Sequence, residues 1–291
     1  MREQFRKARK YHKIRLMNLF GNGRIIIVML LLFIIFREYT KDIRTMCDMT
    51  GVSISQYFCT FFLSDYIIAT GLMKILILLV YVFVICNVSR PGSEQYYYII
   101  RTGKKAWIVG DILFITFITF VFCIVIYFYS VICFLPNLEF QRGWGKIIGT
   151  LAYTDASMQY GSLFVIPARM LELYNPIMAT LLSLLLLFLG CMVLGLTIYT
   201  ANIISMTNIF GLTITSFLIL LSPLIVYARL PELYWFSPIS WVSVGNLYPI
   251  RSVEYPSTAF AVIMLSIISL CYITTLIMYS GKMEVRGDYN G

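Results

Sequence analysis

Residues able to do chemistry are scarce in this sequence, and their positions narrow its function early. The single histidine, His12, lies in a basic run. Metalloprotease, rhomboid-like Ser/His and haem-ligating chemistry all need histidines in apolar helices, so those classes drop out. No GxxxxGK[ST] phosphate-binding loop occurs, so the chain has no such route to ATP. Three ionisable residues, Asp65, Lys74 and Asp111, fall in or at the edge of long apolar runs. Charges so placed are costly and tend to face a bundle interior or a partner. For Asp111 the expected partner is Lys104, Lys105 or a base of the N-terminal arm, and a lone carboxylate makes a poor proton relay. Asp65 and Lys74 are expected at the outer interface. Cys86, Cys123, Cys133, Cys191 and Cys271 lie in apolar runs, where cysteine behaves as a small hydrophobe. Only Cys47 and Cys59 are placed to face an outer compartment, and nothing indicates that they pair. No catalytic, metal or cofactor-binding set emerges, which points away from an enzyme.

The elements that position these residues follow from composition. Of 291 residues, 59% are apolar and 13% charged, against roughly 45–50% and 25% in soluble domains. Mean hydropathy is +0.82. The expected class is a polytopic, all-α integral membrane protein. A span needs about 20 mostly apolar residues. The 56 residues from Leu173 to Ala228 carry no charge, which suits two spans broken at the polar patch Thr200, Asn202, Ser205, Thr207 and Asn208. Ile112–Leu135 and Tyr255–Gly281 give one span each, and Tyr66–Ser89 gives another, interrupted by Lys74. Ile25–Phe36, only 12 residues between two arginines, is the shortest candidate. Six spans are expected, in a domain over 21–291 preceded by a basic arm over 1–20.

Orientation follows from Lys and Arg beside the spans. The side holding both termini and the loop after span two carries 14 bases and four acids, against eight of each on the other. Both termini are therefore expected in the cytoplasm, with the chain in the plasma (inner) membrane. The net charge of +9 is then a topology signal, and no nucleic-acid partner is needed to explain it. In the arm, Phe5, Ala8, Tyr11 (or His12), Leu16 and Leu19 recur at helical spacing among seven bases. That fits an interfacial helix against anionic lipid, the alternative being a frayed tail that sets topology.

The loop Asn87–Trp107 is the most informative stretch. Pro91 and Gly92 end the preceding span, Ser93 can cap a new helix, and Glu94 and Gln95 favour its first turn. The helix Glu94–Arg101 is then closed by Gly103. Its expected exposed face holds Gln95, Tyr96, Tyr98 and Arg101, types that anchor protein interfaces. The alternative is a plain amphipathic connector.

With this layout the chain resembles the membrane (permease) subunit of an ATP-binding-cassette exporter of the type 2 permease superfamily. The features that carry the resemblance are the basic arm, six spans, the short helix after span two, the pattern x-x-R-x-G-[KR]-x-x-W and a Gly-Asp opening of span three. The family's coupling helix docks into a separate ATPase subunit, and the matching residues here are Glu94, Gln95, Tyr96, Tyr98 and Arg101. The resemblance also implies short re-entrant helices between spans five and six, at Leu233–Asn246, and a second permease subunit, the same or related. ATP and Mg would belong to the partner ATPase. The outer segment Pro136–Asn175 departs from the simplest members by its length. An amphipathic substrate (peptide, drug or lipid) suits the apolar, aromatic bundle. An ion-coupled secondary transporter acting without an ATPase is the alternative, although it should show paired intramembrane charges and an internal repeat.

Overall fold

The computed structural model describes residues 2–21, 23–63, 68–86, 93–156, 166–205, 207–228, 230–247 and 255–282. Of these, 84% are helical, as expected where backbone polar groups must be satisfied within each segment. In chain order the helices are α1 (Arg2–Phe20), α2 (Gly23–Tyr39), α3 (Lys41–Thr50), α4 (Cys59–Phe62), α5 (Ile68–Ile85), α6 (Ser93–Thr102) and α7 (Lys104–Ile132). After these come α8 (Lys146–Tyr153), α9 (Ala168–Leu173), α10 (Pro176–Ser205), α11 (Asn208–Ala228) and α12 (Thr258–Lys282).

Among the described residues, four helices are long and apolar enough to cross a membrane: α7, α10, α11 and α12. They hold expected spans three to six. The uncharged 56-residue run does divide in two, but α10 continues through Thr200 and Asn202 to Ser205, so the break falls at the far edge of the polar patch. The first two expected spans lie on shorter helices. α2 has 17 residues and α5 has 18, about 26–27 Å at 1.5 Å per residue. Hydrocarbon is about 30 Å thick.

α10 is the central helix. From Gly190 to Thr200 every residue is buried, and α5, α7, α11 and α12 all pack on it. Two glycines allow the closest approaches. A Cβ on Gly195 would lie 2.8 Å from Tyr81 Oη and 2.9 Å from Ile115 Cγ2, so α5 and α7 both meet α10 there. A Cβ on Gly211 would lie 2.7 Å from the Ile198 carbonyl, which brings the start of α11 against the end of α10. The Gly211 N–H donates to Asn202 Oδ1 at 2.9 Å. Asn202 therefore satisfies one of the orphan donors of the new helix.

The contacts along these helices define two ends of the bundle. Asp111 near the start of α7 meets Tyr199 near the end of α10. Halfway along, Tyr81 of α5 and Thr119 of α7 share a hydrogen bond of 2.6 Å. Lys74 near the start of α5 meets Ser222 near the end of α11. The first contact marks the arm end, where α1 and α6 pack on α7. The last marks the loop end.

The loop end is built on aromatic packing. Phe36 lies on Phe62 (4.4 Å), Phe58 on Phe134 (4.8 Å) and Phe61 on Trp144 (5.5 Å). A two-residue parallel ladder pairs Ile54–Ser55 with Leu138–Glu139. Gln56 reinforces it by donating to the Gln141 carbonyl and accepting from the Gln141 N–H. Asp48 accepts from Asn137. Part of the long segment after α7 is thus an ordered cap on the bundle, with α8 and α9 packed on each other. The expected re-entrant helices at Leu233–Asn246 take the form of three short 3₁₀ turns, Pro231–Phe236, Ser240–Val242 and Val244–Asn246. Val242 sits so close to α10 that a Cβ on Gly190 would lie 2.4 Å from its Cγ2. Cys47 and Cys59 are both buried free thiols, and burial pushes the Cys47 thiol up to about 11.

Candidate functional site

The arm end carries a charge pair with a fully buried member. Asp111 is 0% exposed. Arg15 Nε donates to its Oδ1 at 3.1 Å, and the Tyr199 hydroxyl donates to Oδ2 at 2.9 Å. The Tyr11 hydroxyl stands close enough to feel this charge and accepts from Trp107 Nε1 at 2.9 Å. Both carboxylate oxygens are therefore occupied by donors from different helices, as a buried anion requires. Burial, then the Asp111 charge, raises the Tyr11 hydroxyl above its ordinary value, so it stays protonated. At Arg15 burial opposes the charge, but the Asp111 carboxylate outweighs it, and the guanidinium is held more firmly protonated.

Of the three partners expected for Asp111, the base of the arm is the one found: Arg15 takes the place, and Lys104 and Lys105 do not. The physical reason is the close crossing of α1 over α7. A Cβ on Gly110 would lie 2.7 Å from Tyr11 Cδ1 and 3.1 Å from the Ala8 carbonyl, and Ala8 and Tyr11 are buried. Most of the stripe expected on lipid is thus covered by protein: besides Ala8 and Tyr11, Leu16 and Leu19 pack partly on the core, and Phe5 remains exposed.

α6 forms where expected, and Gly103, at φ 87°, ends it. Only glycine adopts that angle readily, and the Gly103 N–H closes the last turn onto the Ile99 carbonyl at 2.9 Å. The side chains of Glu94, Gln95 and Tyr96 lie outside the described residues. Tyr98 is corrected from exposed to half-buried, with its ring 5.6 Å from that of Tyr11. The described exposed edge of α6 consists of Ile100 and Arg101. Tyr11 therefore touches Tyr98 of α6 and Trp107 of α7 together, and joins the surface helix to the buried pair.

At the loop end Lys74, expected at an interface, is 1% exposed. Its ammonium donates to Ser222 Oγ at 2.9 Å. Ser240 Oγ lies 3.2 Å from Ser222 Oγ and 2.8 Å from Ser237 Oγ, and all three serines are 0% exposed. This chain ties α5 and α11 to the 3₁₀ segment. Asp65 lies outside the described residues. A cavity of about 520 Å³ opens nearby between α9 and the 3₁₀ turns, with Arg169, Tyr174, Tyr234 and Asn246 in its wall.

Compared with protein-family models, with curated proteins and with solved structures, the chain matches none. What the arrangement can do is therefore argued from its geometry. Among the described residues no three of His, Cys, Asp and Glu come together as metal ligands. The polar clusters link helices. The arm cluster binds α1, α7 and α10 into one unit, with α6 resting on it.

Sequence reasoning singled out Asp111 and Lys74 but missed Tyr11, Tyr199 and Trp107 around the first and the serines around the second. Trp107 stands four residues before Asp111, on the same helix face, a signal that was available. Tyr199 comes from within a charge-free run 88 residues away, and nothing local marks it.

Proposed function

We propose that this chain is the permease half of an ATP-driven exporter. In this reading α2, α5, α7, α10, α11 and α12 are its six spans, with α1, α6 and both termini on the cytoplasmic side of the plasma membrane. The observation that carries it is α6. It is a separate ten-residue helix between two apolar helices, seated on Tyr11 by one side and presenting Ile100 and Arg101 on the other. A soluble ATPase binding that edge would push on α6, and the Tyr11–Trp107–Asp111–Arg15 network would pass the displacement to α7, α1 and α10 together. Such a network acts as a two-state element only if its members move as one body. Two permease chains would form the path, ATP and Mg would sit in the ATPases, and the permease itself would carry out no covalent chemistry. An amphipathic substrate suits the apolar bundle.

Coexpression with a candidate ATPase tests this. Interface anchors cost about 2 kcal/mol or more when truncated, roughly thirtyfold in affinity. Ile100→Ala with Arg101→Ala should therefore weaken ATPase capture about thirtyfold and abolish transport, with insertion unchanged. Wild-type capture and transport by that variant would sink the coupling role. A second reading, an ion-coupled carrier, draws on the buried Asp111. It predicts uptake into vesicles driven by an ion gradient with no ATPase present, and the exporter predicts none.

A further inference from the structure

Two cavities of about 470 and 500 Å³ adjoin on the outer flank of α1 and share Arg9 and His12 in their walls. One is apolar. Leu113, Thr116, Phe117 and Phe120 of α7 line it, with Phe5 of α1 and Phe188 of α10. The other is basic, walled by Arg6, Arg9, Lys10 and Lys13, all of them exposed residues of α1. His12 stands at the junction. Its ring meets Phe117 edge-on at 5.7 Å, and its Nδ1 is shielded from solvent with no hydrogen-bond partner. A buried polar atom without a partner is uncommon and asks for an explanation.

We propose that this composite groove binds one anionic phospholipid, its phosphodiester among Arg6, Arg9, Lys10 and Lys13 and one acyl chain along Phe117 and Phe120. Neither end alone selects that ligand. A soluble anion would use only the basic cavity, and a neutral lipid only the apolar one. An anionic phospholipid carries both chemistries at the spacing of headgroup and chain, and its ester or phosphate oxygens bring a partner to His12. Four bases beside one site each add to the attraction for an anionic headgroup. The proposal does not depend on the exporter reading, because a bound lipid here would brace α1 against α7 in any membrane protein.

The test is native mass spectrometry of the purified full chain, titrated with phosphatidylglycerol or phosphatidylcholine of matched acyl chains. Phosphatidylglycerol should bind as a single retained molecule, at least tenfold tighter than phosphatidylcholine. Arg9→Gln with Lys13→Gln should weaken phosphatidylglycerol about thirtyfold and leave phosphatidylcholine unchanged. Phe120→Ser, at a residue 56% exposed and so harmless to folding, should weaken both lipids. Equal binding of the two lipids, or undiminished phosphatidylglycerol binding by the double variant, overturns the proposal. So does displacement by glycerol phosphate at concentrations that match the lipid, which would make this a soluble-anion site.

Discussion

At the arm end of the bundle a carboxylate meets a guanidinium 3.1 Å away, whereas at the loop end an ammonium meets a row of hydroxyls. The two solutions differ in what each depends on. Asp111 draws its donors from two other helices, α1 and α10, so the compensation of its charge depends on α1 staying docked. The serines can each donate or accept, so the loop-end chain can rearrange around a lost member. On that contrast, removing one member should cost the arm end more than the loop end.

The sharpest way to break this contrast is Asp111→Ala. It leaves Arg15 partly buried beside an apolar gap, and removing one partner of a buried pair costs about 3–5 kcal/mol. Thermal unfolding in detergent should show that loss, and Arg15→Met in the same chain should recover much of it. If Asp111→Ala melts with the wild type, the pair does not hold the arm. Next comes Gly110→Val, which would drive a side chain into Tyr11 and the Ala8 backbone. Overpacking of this kind costs about 1–3 kcal/mol, and proteolysis within α1 should accelerate as the arm lifts. Ser240→Ala should do less, about 1 kcal/mol, because Ser222 keeps the bond from Lys74. A loss as large as that of Asp111→Ala would erase the distinction between the two ends.

The smallest effect concerns pH. Burial lowers the His12 pKa below its ordinary 6.5, so the folded chain prefers the neutral ring. The unfolded chain binds more protons as pH falls past that value, and stability drops with it. Melting temperature should therefore decline below about pH 6.5, and His12→Gln should flatten that part of the slope. An unchanged slope would show that other groups set it.

Much of the helical layout was legible because apolar run length is a one-dimensional property. α7, α10, α11 and α12 follow from uncharged stretches, and α6 from Pro91, Gly92 and Gly103. The partners of Asp111 and Lys74 were not legible for the opposite reason. Arg15 is 96 residues from Asp111, and Ser222 is 148 from Lys74, so only tertiary packing brings them together. The arm shows the same limit from another side. Its spacing announced an amphipathic helix, but an apolar stripe does not say whether lipid or protein will cover it. For Tyr98 an aromatic on a short helix suited an exposed anchor, and the nearby Tyr11 ring decided otherwise.

The tight junction of α10 and α11 also bears on how the chain is made. Residues 206–207 alone separate a 30-residue helix from a 21-residue one, and the Asn202 side chain reaches only nine residues ahead to Gly211. Neither helix can leave the insertion machinery far ahead of the other. The pair should enter the bilayer as a closed hairpin, its junction already satisfied, while α12 is still being synthesised. Assembly would then start from a preformed central unit onto which the earlier helices close.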